Sequence, residues 1–354
     1  MIKVNPKNAV REYADMATKL AKGYETLQNI EQVDVATTPK ELVWKQDKVQ
    51  LYRYTRATAP AVKTPVVVSY ALVNRQDMMD IQPDRSYIRN LLDQGLDVYM
   101  IDWGYPTAAD KFLTMDDYVN GYLNEVVDFV CEMNEVEKVN LMGVCQGGTL
   151  ATIYASLHPE KIKNLITLVT PIDFSTNDGL LFRWAKDMNI DKIVDAYGNV
   201  PGDFLNSGFS LLKPMSKTGK FISAINLMDN EQKILNFLRM EKWIADSPDQ
   251  AGECYRQFLK DLYQQNKLVN GTLQVGEHTV NLKNVTMPVL NIYAEEDNLV
   301  PPAASIPLND LVGAKDTTLY KFKGGHIGVF VGSRSQKELA PAVAKWLKDR
   351  DSKK

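Results

Sequence analysis

One stretch constrains this chain more than any other: Lys138-Val-Asn-Leu-Met-Gly-Val-Cys145-Gln-Gly-Gly-Thr149. Val139 to Met142 have the apolar character of a buried strand. Gly143-Val-Cys-Gln-Gly147 has the character of a sharp turn, and the residues after it that of a helix. A Gly-x-nucleophile-x-Gly turn between strand and helix is the nucleophile-elbow pattern, here with cysteine where serine is usual. Gly143 and Gly147 leave room for a turn that side chains would crowd, and the turn holds Cys145 in a strained conformation with its tip above the sheet.

An elbow needs a parallel sheet beneath it, and the rest of the chain predicts one. Pro65-Val-Val-Val-Ser-Tyr-Ala71, Asp97-Val-Tyr-Met-Ile-Asp102, Asn164-Leu-Ile-Thr-Leu-Val-Thr170 and Met287-Pro-Val-Leu-Asn-Ile-Tyr-Ala294 are continuous apolar runs, as strands buried on both faces should be. Thr317-Thr-Leu-Tyr-Lys-Phe322 is the last strand. Helices are expected between them over 84–94, 115–134 and from the elbow to His158-Pro159, and a closing one over 336–348. The alternation implies a sheet wound with helices on both faces. Residues 41–45 and 49–54 alternate with period two, as an antiparallel pair at the sheet edge would. Residues 8–32 carry Val10, Tyr13, Met16, Leu20 and Tyr24 at helical spacing, which predicts a helix whose apolar face packs on the body or on a partner. Residues 349–354 form a charged tail that should fray.

The alternation breaks over 173–285. That span is mostly helical in pattern and rich in aromatics, among them Phe182, Trp184, Phe221, Trp243, Phe258 and Tyr263. It is too long for a loop and is expected to be a structured cap inserted before the next strand. The core is then 1–172 with 286–354, residues 1–38 forming its N-terminal segment. A hairpin around Gly276-Glu277 closes the insertion, with His278 facing solvent.

A cysteine nucleophile needs a base and an acid that orients it, in the chain order nucleophile, acid, histidine. Cys145, Asp297 and His326 fall in that order, each just past the C-terminal end of an expected strand, where ligand sites of open α/β sheets lie. There are only three histidines. His158 suits a helix C-terminus, as a cation against the dipole, which leaves His326 in Gly324-Gly-His-Ile-Gly328. Asp297 competes with Glu295 and Glu296 and is favoured by its place before Leu299-Val-Pro-Pro302. The backbone N–H of Gln146 is one expected oxyanion donor, and Val73, with Asn74 as the neighbouring alternative, the other.

A thiol paired with imidazole near a helix N-terminus is largely thiolate. Attack on a thioester then makes another thioester, so the acyl group stays activated for transfer. This tilts the chemistry from hydrolysis towards acyl transfer, with a cap to exclude water.

Composition narrows the rest. A net charge of −3 leaves no electrostatic footprint for nucleic acid. No apolar run approaches a membrane span, and Met1-Ile-Lys-Val-Asn5 is not a signal peptide. Cys131, Cys145 and Cys254 show neither Cys-x-x-Cys nor zinc spacing, which predicts free thiols in a reducing cytosol, Cys131 and Cys254 as packing residues.

Ser69-Tyr-Ala-Leu-Val-Asn-Arg75, Leu91-Leu-Asp-Gln-Gly-Leu-Asp-Val-Tyr-Met-Ile-Asp-Trp-Gly-Tyr-Pro106, Gly143-Val-Cys-Gln-Gly-Gly148, Asn236-Phe-Leu-Arg-Met-Glu-Lys-Trp-Ile-Ala-Asp-Ser-Pro-Asp-Gln-Ala-Gly252 and Gly324-Gly-His-Ile-Gly328 resemble the catalytic subunit of polyhydroxyalkanoate synthases. The similarity runs from about Pro39 to Leu347 and fits the class III type best, with class IV close in length. It implies an α/β-hydrolase fold: a mostly parallel sheet with a helical cap inserted before the acid-bearing strand. It implies transfer of 3-hydroxyacyl groups, short-chain 3-hydroxybutyryl foremost, from coenzyme A to Cys145 and on to a growing polyester. His326 would be the base, and Asp297 would orient it or help activate the hydroxyl. No cofactor is called for, the coenzyme A thioester being substrate. The implied partners are a second subunit of the class III type and a homodimer or hetero-oligomer, at the surface of cytoplasmic polyester granules. Asn298 stands where relatives often carry histidine. A cysteine-dependent thioesterase or ester hydrolase of the same fold is the alternative activity, and a non-catalytic docking subunit the alternative of another kind.

Overall fold

In the computed structural model, residues 6–57, 59–212, 224–228 and 230–351 are described; Phe221 lies outside them, as do 1–5 and 352–354. The strands are β1 (Lys40–Gln46), β2 (Val49–Tyr54), β3 (Val66–Ser69), β4 (Val98–Asp102), β5 (Val139–Val144), β6 (Ile162–Leu168), the hairpin pair β7 (Gln274–Val275) and β8 (His278–Thr279), then β9 (Val289–Ala294) and β10 (Thr317–Phe322). Eight of them form one sheet in the order β1-β2-β4-β3-β5-β6-β9-β10, antiparallel only where β2 meets its two neighbours.

Burial explains why the central strands are apolar throughout. Val67 and Leu141 face one hydrophobic cluster, while Val66, Val68 and Met142 face another on the opposite side. The first cluster is completed by helices α3 (Asn124–Met133) and α4 (Gln146–Leu157). The second is completed by α2 (Tyr87–Asp93) and the closing helix Ala340–Asp351. The chain steps outward from β3 to β4, then returns to the other side of β3 for β5. That reversal is a topological switch point, and sheets of this kind bind ligands at the C-terminal ends of the strands beside it.

Several local expectations change. Helix α2 starts at Tyr87 because the Ser86 hydroxyl accepts the Arg89 N–H at 2.9 Å. The 115–134 helix begins as a widened π-type stretch, Asp117–Leu123, before α3. Strand β6 ends at Leu168, since Val169 takes a positive φ of 45°. Helix α1 (Pro6–Asn29) forms, but its apolar stripe does not reach the core: Val10 and Tyr13 are 69% and 77% exposed, and Met16, Leu20 and Tyr24 are also exposed. His158 caps α4, stacks on Tyr154 and meets Asn120 Oδ1 at 2.8 Å. Burial lowers its pKa, the nearby Glu160 raising it less, so it is a neutral packing residue rather than a cation on the dipole. Residues 349–351 of the charged tail belong to the closing helix, and the Asp351 carboxylate accepts the N–H groups of Lys63 and Thr64. Cys254 is fully buried and pushed up to about 12 by burial, the Asp117 charge adding to it, and Cys131 packs half-buried against the core. His278 is exposed at the β7–β8 turn.

Between β6 and β9 the chain forms helices, among them Leu180–Asp187, Ile190–Tyr197, Gly202–Leu212, Glu231–Ala245 and Gly252–Gln257. Phe174, Phe182, Phe258 and Tyr263 pack ring to ring at its base.

The C-terminal end of β4 holds a buried ion pair. Asp102 accepts two bonds from the Arg75 guanidinium, at 2.7 and 2.6 Å, with the side chains only 9% and 10% exposed. Removing one partner leaves the other charged and dry. Asp102→Ala is therefore expected to lower unfolding free energy by about 3–5 kcal/mol, whereas Arg75→Met with Asp102→Leu recovers most of it. Equilibrium urea unfolding reads both, and a loss below about 1 kcal/mol for Asp102→Ala would contradict this account.

Candidate active site

Cys145 joins β5 to α4 with φ 52° and ψ −126°, a conformation that costs a non-glycine residue energy and persists only when its surroundings enforce it. Here they do. The Cys145 N–H donates to the Leu168 carbonyl at 2.9 Å, and its own carbonyl accepts from Gly148 and Thr149. A Cβ on Gly147 would collide with the carbonyl oxygens of Ser69 and Tyr70, so the turn lies directly against the end of β3. One on Gly143 would strike Gly148 Cα. The elbow expected from the sequence is thus formed, and its glycines are there for close backbone approach.

Cys145, His326 and Asp297 come together, each from the loop that follows its strand: β5, β10 and β9. His326 Nδ1 lies 2.6 Å from Asp297 Oδ2, and the imidazole is close enough to the Cys145 sulfur for its charge to act on the ring. An ionised carboxylate only accepts, so Nδ1 carries a proton and Nε2 is the nitrogen left for sulfur. The other carboxylate oxygen of Asp297 accepts the N–H groups of Leu299 and Val300 at 2.8 and 2.9 Å. Both oxygens are therefore committed, and the Asp297 side chain is fully shielded from solvent. Burial disfavours a charged imidazole at His326. The negative charges of Asp297 and Cys145, with the hydrogen bond to Asp297, outweigh it and raise the pKa to about 10. The competing acids are elsewhere: Glu295 pairs with Lys321, and both Glu295 and Glu296 are exposed. The Asn298 side chain turns back to the Glu296 carbonyl.

The two segments expected to carry the oxyanion donors are joined by a hydrogen bond. Gln146 N–H is the first in the opening turn of α4, where helix donors lack an internal partner. The Gln146 side chain accepts the Leu72 N–H at 3.1 Å, which brings the loop carrying Val73 and Asn74 beside the elbow. Asn74 stands at φ 62°.

Sequence patterns gave several other groups no role at the site. Tyr70 and Tyr263 are buried phenols raised first by burial and then by the charge of Cys145, which sets both close to the sulfur. Gln250, Ser247 and Trp243 reach from the insertion to Leu72, Asn74 and Arg75. In the sequence Gln250 and Ser247 stood only within the stretch 236–252 that carried part of the family resemblance, and Trp243 also among the aromatics of the insertion.

No helix among the described residues is long and apolar enough to cross a membrane. A family model described as alpha/beta hydrolase fold matches residues 66–333, and one described as poly-beta-hydroxybutyrate polymerase (PhaC) N-terminus matches residues 8–91. The thermophilic esterase of Thermogutta terrifontis superposes with a TM-score of 0.53 at 14% identity, covering 90% of this chain and 100% of the esterase, a likeness of fold alone. The poly(3-hydroxyalkanoate) polymerase subunit PhaC of Thiocystis violacea is 52% identical over 351 residues, 99% of each chain. Its counterpart in Allochromatium vinosum is 51% identical over 352 residues, again 99% of each. With similarity of that depth along almost its entire length, this chain belongs to the PhaC family of poly(3-hydroxyalkanoate) polymerase subunits, built on the α/β-hydrolase fold.

Proposed function

We propose that this chain is the catalytic subunit of a poly(3-hydroxyalkanoate) polymerase and that Cys145, His326 and Asp297 are its catalytic residues. The Cys145 sulfur attacks the carbonyl of a 3-hydroxyacyl-coenzyme A. The tetrahedral oxyanion is met by the N–H groups of Gln146 and Val73. Coenzyme A leaves as its thiol, taking a proton from the His326 imidazolium, and a Cys145 thioester remains. The hydroxyl of another acyl unit then attacks a thioester carbonyl and gives its proton to His326. An ester bond forms as the carbon–sulfur bond breaks, and the polyester is one unit longer. Asp297 holds the His326 ring and stabilises its protonated form.

The observation that carries this reading is the sulfur at the elbow tip beside a histidine whose ring is held through Nδ1 by a buried carboxylate. A thioester intermediate keeps the acyl group transferable, which a polymerase needs and a hydrolase does not. Residues 173–285 act as the cap: Tyr263 in that span is close to Cys145, and its aromatic base keeps water from the intermediate. The coenzyme A thioester is substrate and no resident cofactor takes part. A second subunit of the class III type is the expected partner, and the surface of the growing polyester granule the place of work.

Incubation with 3-hydroxybutyryl-coenzyme A, with and without the second subunit, tests the reading. Thiol release is expected to run in step with high-molecular-mass polyester. Thiol release with free 3-hydroxybutyrate as the main product, even with the second subunit present, would instead establish a thioesterase.

A further inference from the structure

The loop after β3, Leu72 to Arg75, is gripped from the insertion at three successive points. The Gln250 side-chain amide donates to the Leu72 carbonyl at 2.8 Å. The Ser247 hydroxyl is hydrogen-bonded to the Asn74 side-chain amide. The Trp243 indole N–H donates to the Arg75 carbonyl at 2.6 Å. From the core side, Gln146 takes the Leu72 N–H. Gln250 is itself fixed: it is 3% exposed, and its backbone exchanges two hydrogen bonds with Val200, at 2.9 and 2.8 Å.

The peptide unit explains why this grip matters for chemistry. The Leu72 carbonyl and the Val73 N–H belong to one rigid plane, and no peptide bond here is cis, so the two groups point in opposite directions. Whatever fixes the Leu72 carbonyl therefore aims the Val73 N–H. Without the Gln250 amide, a buried carbonyl is left without its donor, and rotation of the peptide to find another swings the Val73 N–H away. The next residue, Asn74, sits at positive φ and needs outside support to stay there, which Ser247 gives.

We propose that Gln250, supported by Ser247 and Trp243, is a positioning residue that aims the Val73 N–H at the oxyanion formed on Cys145. The proposal rests on the polymerase reading above. It makes the oxyanion donor conditional on the insertion being seated on the core, because all three gripping side chains belong to the insertion.

Gln250→Met and Gln250→Glu test it in the full chain with its second subunit, using 3-hydroxybutyryl-coenzyme A and following thiol release. Gln250→Met is expected to lower kcat by about 10- to 100-fold, the range below loss of a whole oxyanion donor, with KM changed by less than about threefold. Alkylation of Cys145 by iodoacetamide should keep its wild-type rate, since the sulfur and its imidazole are untouched. Gln250→Glu supplies a signature that a packing defect would not. As a carboxylate it repels the Leu72 carbonyl, but once protonated its O–H can donate to it. Its kcat relative to wild type should therefore rise as pH is lowered from about 8 towards 5.5, buried carboxyls titrating above their usual range. Wild-type kcat in Gln250→Met, or a Gln250→Glu to wild-type ratio flat with pH, would overturn the proposal. Should Gln250→Met not fold, the pH ratio of Gln250→Glu decides alone. Cys145→Ala separates the two levels. If it is inactive while both Gln250 variants behave as wild type, only the positioning role falls. If it is active, the reaction on Cys145 falls, and the proposal with it.

Discussion

Replacing Cys145 by alanine is expected to stop thiol release from 3-hydroxybutyryl-coenzyme A, with a loss of at least about 10⁴-fold and no polyester formed. The size follows from how the site is arranged. Of the three cysteines, the one whose charge acts on His326 is at the elbow; Cys254 is buried beside Asp117, and Cys131 lies on α3 near Asp128, with Lys161 beside it. Neither can stand in. The variant should fold, because the Cys145 backbone is held by hydrogen bonds to Leu168, Gly148 and Thr149 that alanine keeps. Cys145→Ser is the more informative companion. It keeps a nucleophile at the tip, but an acyl group moved to it becomes an oxygen ester with a poorer leaving group. Intact-mass analysis should show a long-lived acyl adduct on the serine variant and a short-lived one on the wild type. Unchanged polymer formation by Cys145→Ala would sink the catalytic role of this chain and leave a docking subunit.

What the sequence made legible here follows from how each residue is constrained. Cys145, Asp297 and His326 are each tied to the end of a strand, and strands are recognisable as apolar runs with turn residues after them. Their order along the chain, with glycines beside two of them, then singled them out from three histidines and a run of acids, and the structure brings the three together. Contacts between distant segments had no such local mark. Gln250 meets Leu72 across 178 positions, and nothing in the composition of Ser-Pro-Asp-Gln-Ala predicts which carbonyl it will find. Burial was likewise invisible one residue at a time. His158 has the place of a helix-end cation, yet it stacks on Tyr154, meets Asn120 and has its pKa lowered by burial. The stripe of α1 shows the limit of periodicity: spacing defines an apolar face but not whether this chain covers it, and Val10 and Tyr13 remain in solvent.

Asp297→Asn is expected to lower kcat by about 10³- to 10⁴-fold, although it changes a single oxygen for nitrogen. The reason lies in the backbone around it. Leu299 and Val300 both donate N–H groups to one carboxylate oxygen, so that position must remain an acceptor. An asparagine must therefore place its oxygen there and turn its NH₂ towards His326 Nδ1. That nitrogen then has to accept, which moves the imidazole proton to Nε2, the side that must take protons from a thiol or a hydroxyl. The negative charge that helps raise His326 to about 10 is also lost. With the imidazole pKa lowered, proton transfer from sulfur becomes less favourable near neutrality. Iodoacetamide should accordingly modify Cys145 more slowly at pH 7 in the variant than in the wild type. Both measurements bear on the role of Asp297. A variant within about tenfold of wild-type kcat and with an unchanged alkylation profile would show that His326 holds its tautomer and charge without this carboxylate. A slow polymerisation step with normal alkylation would assign Asp297 to the attacking hydroxyl instead.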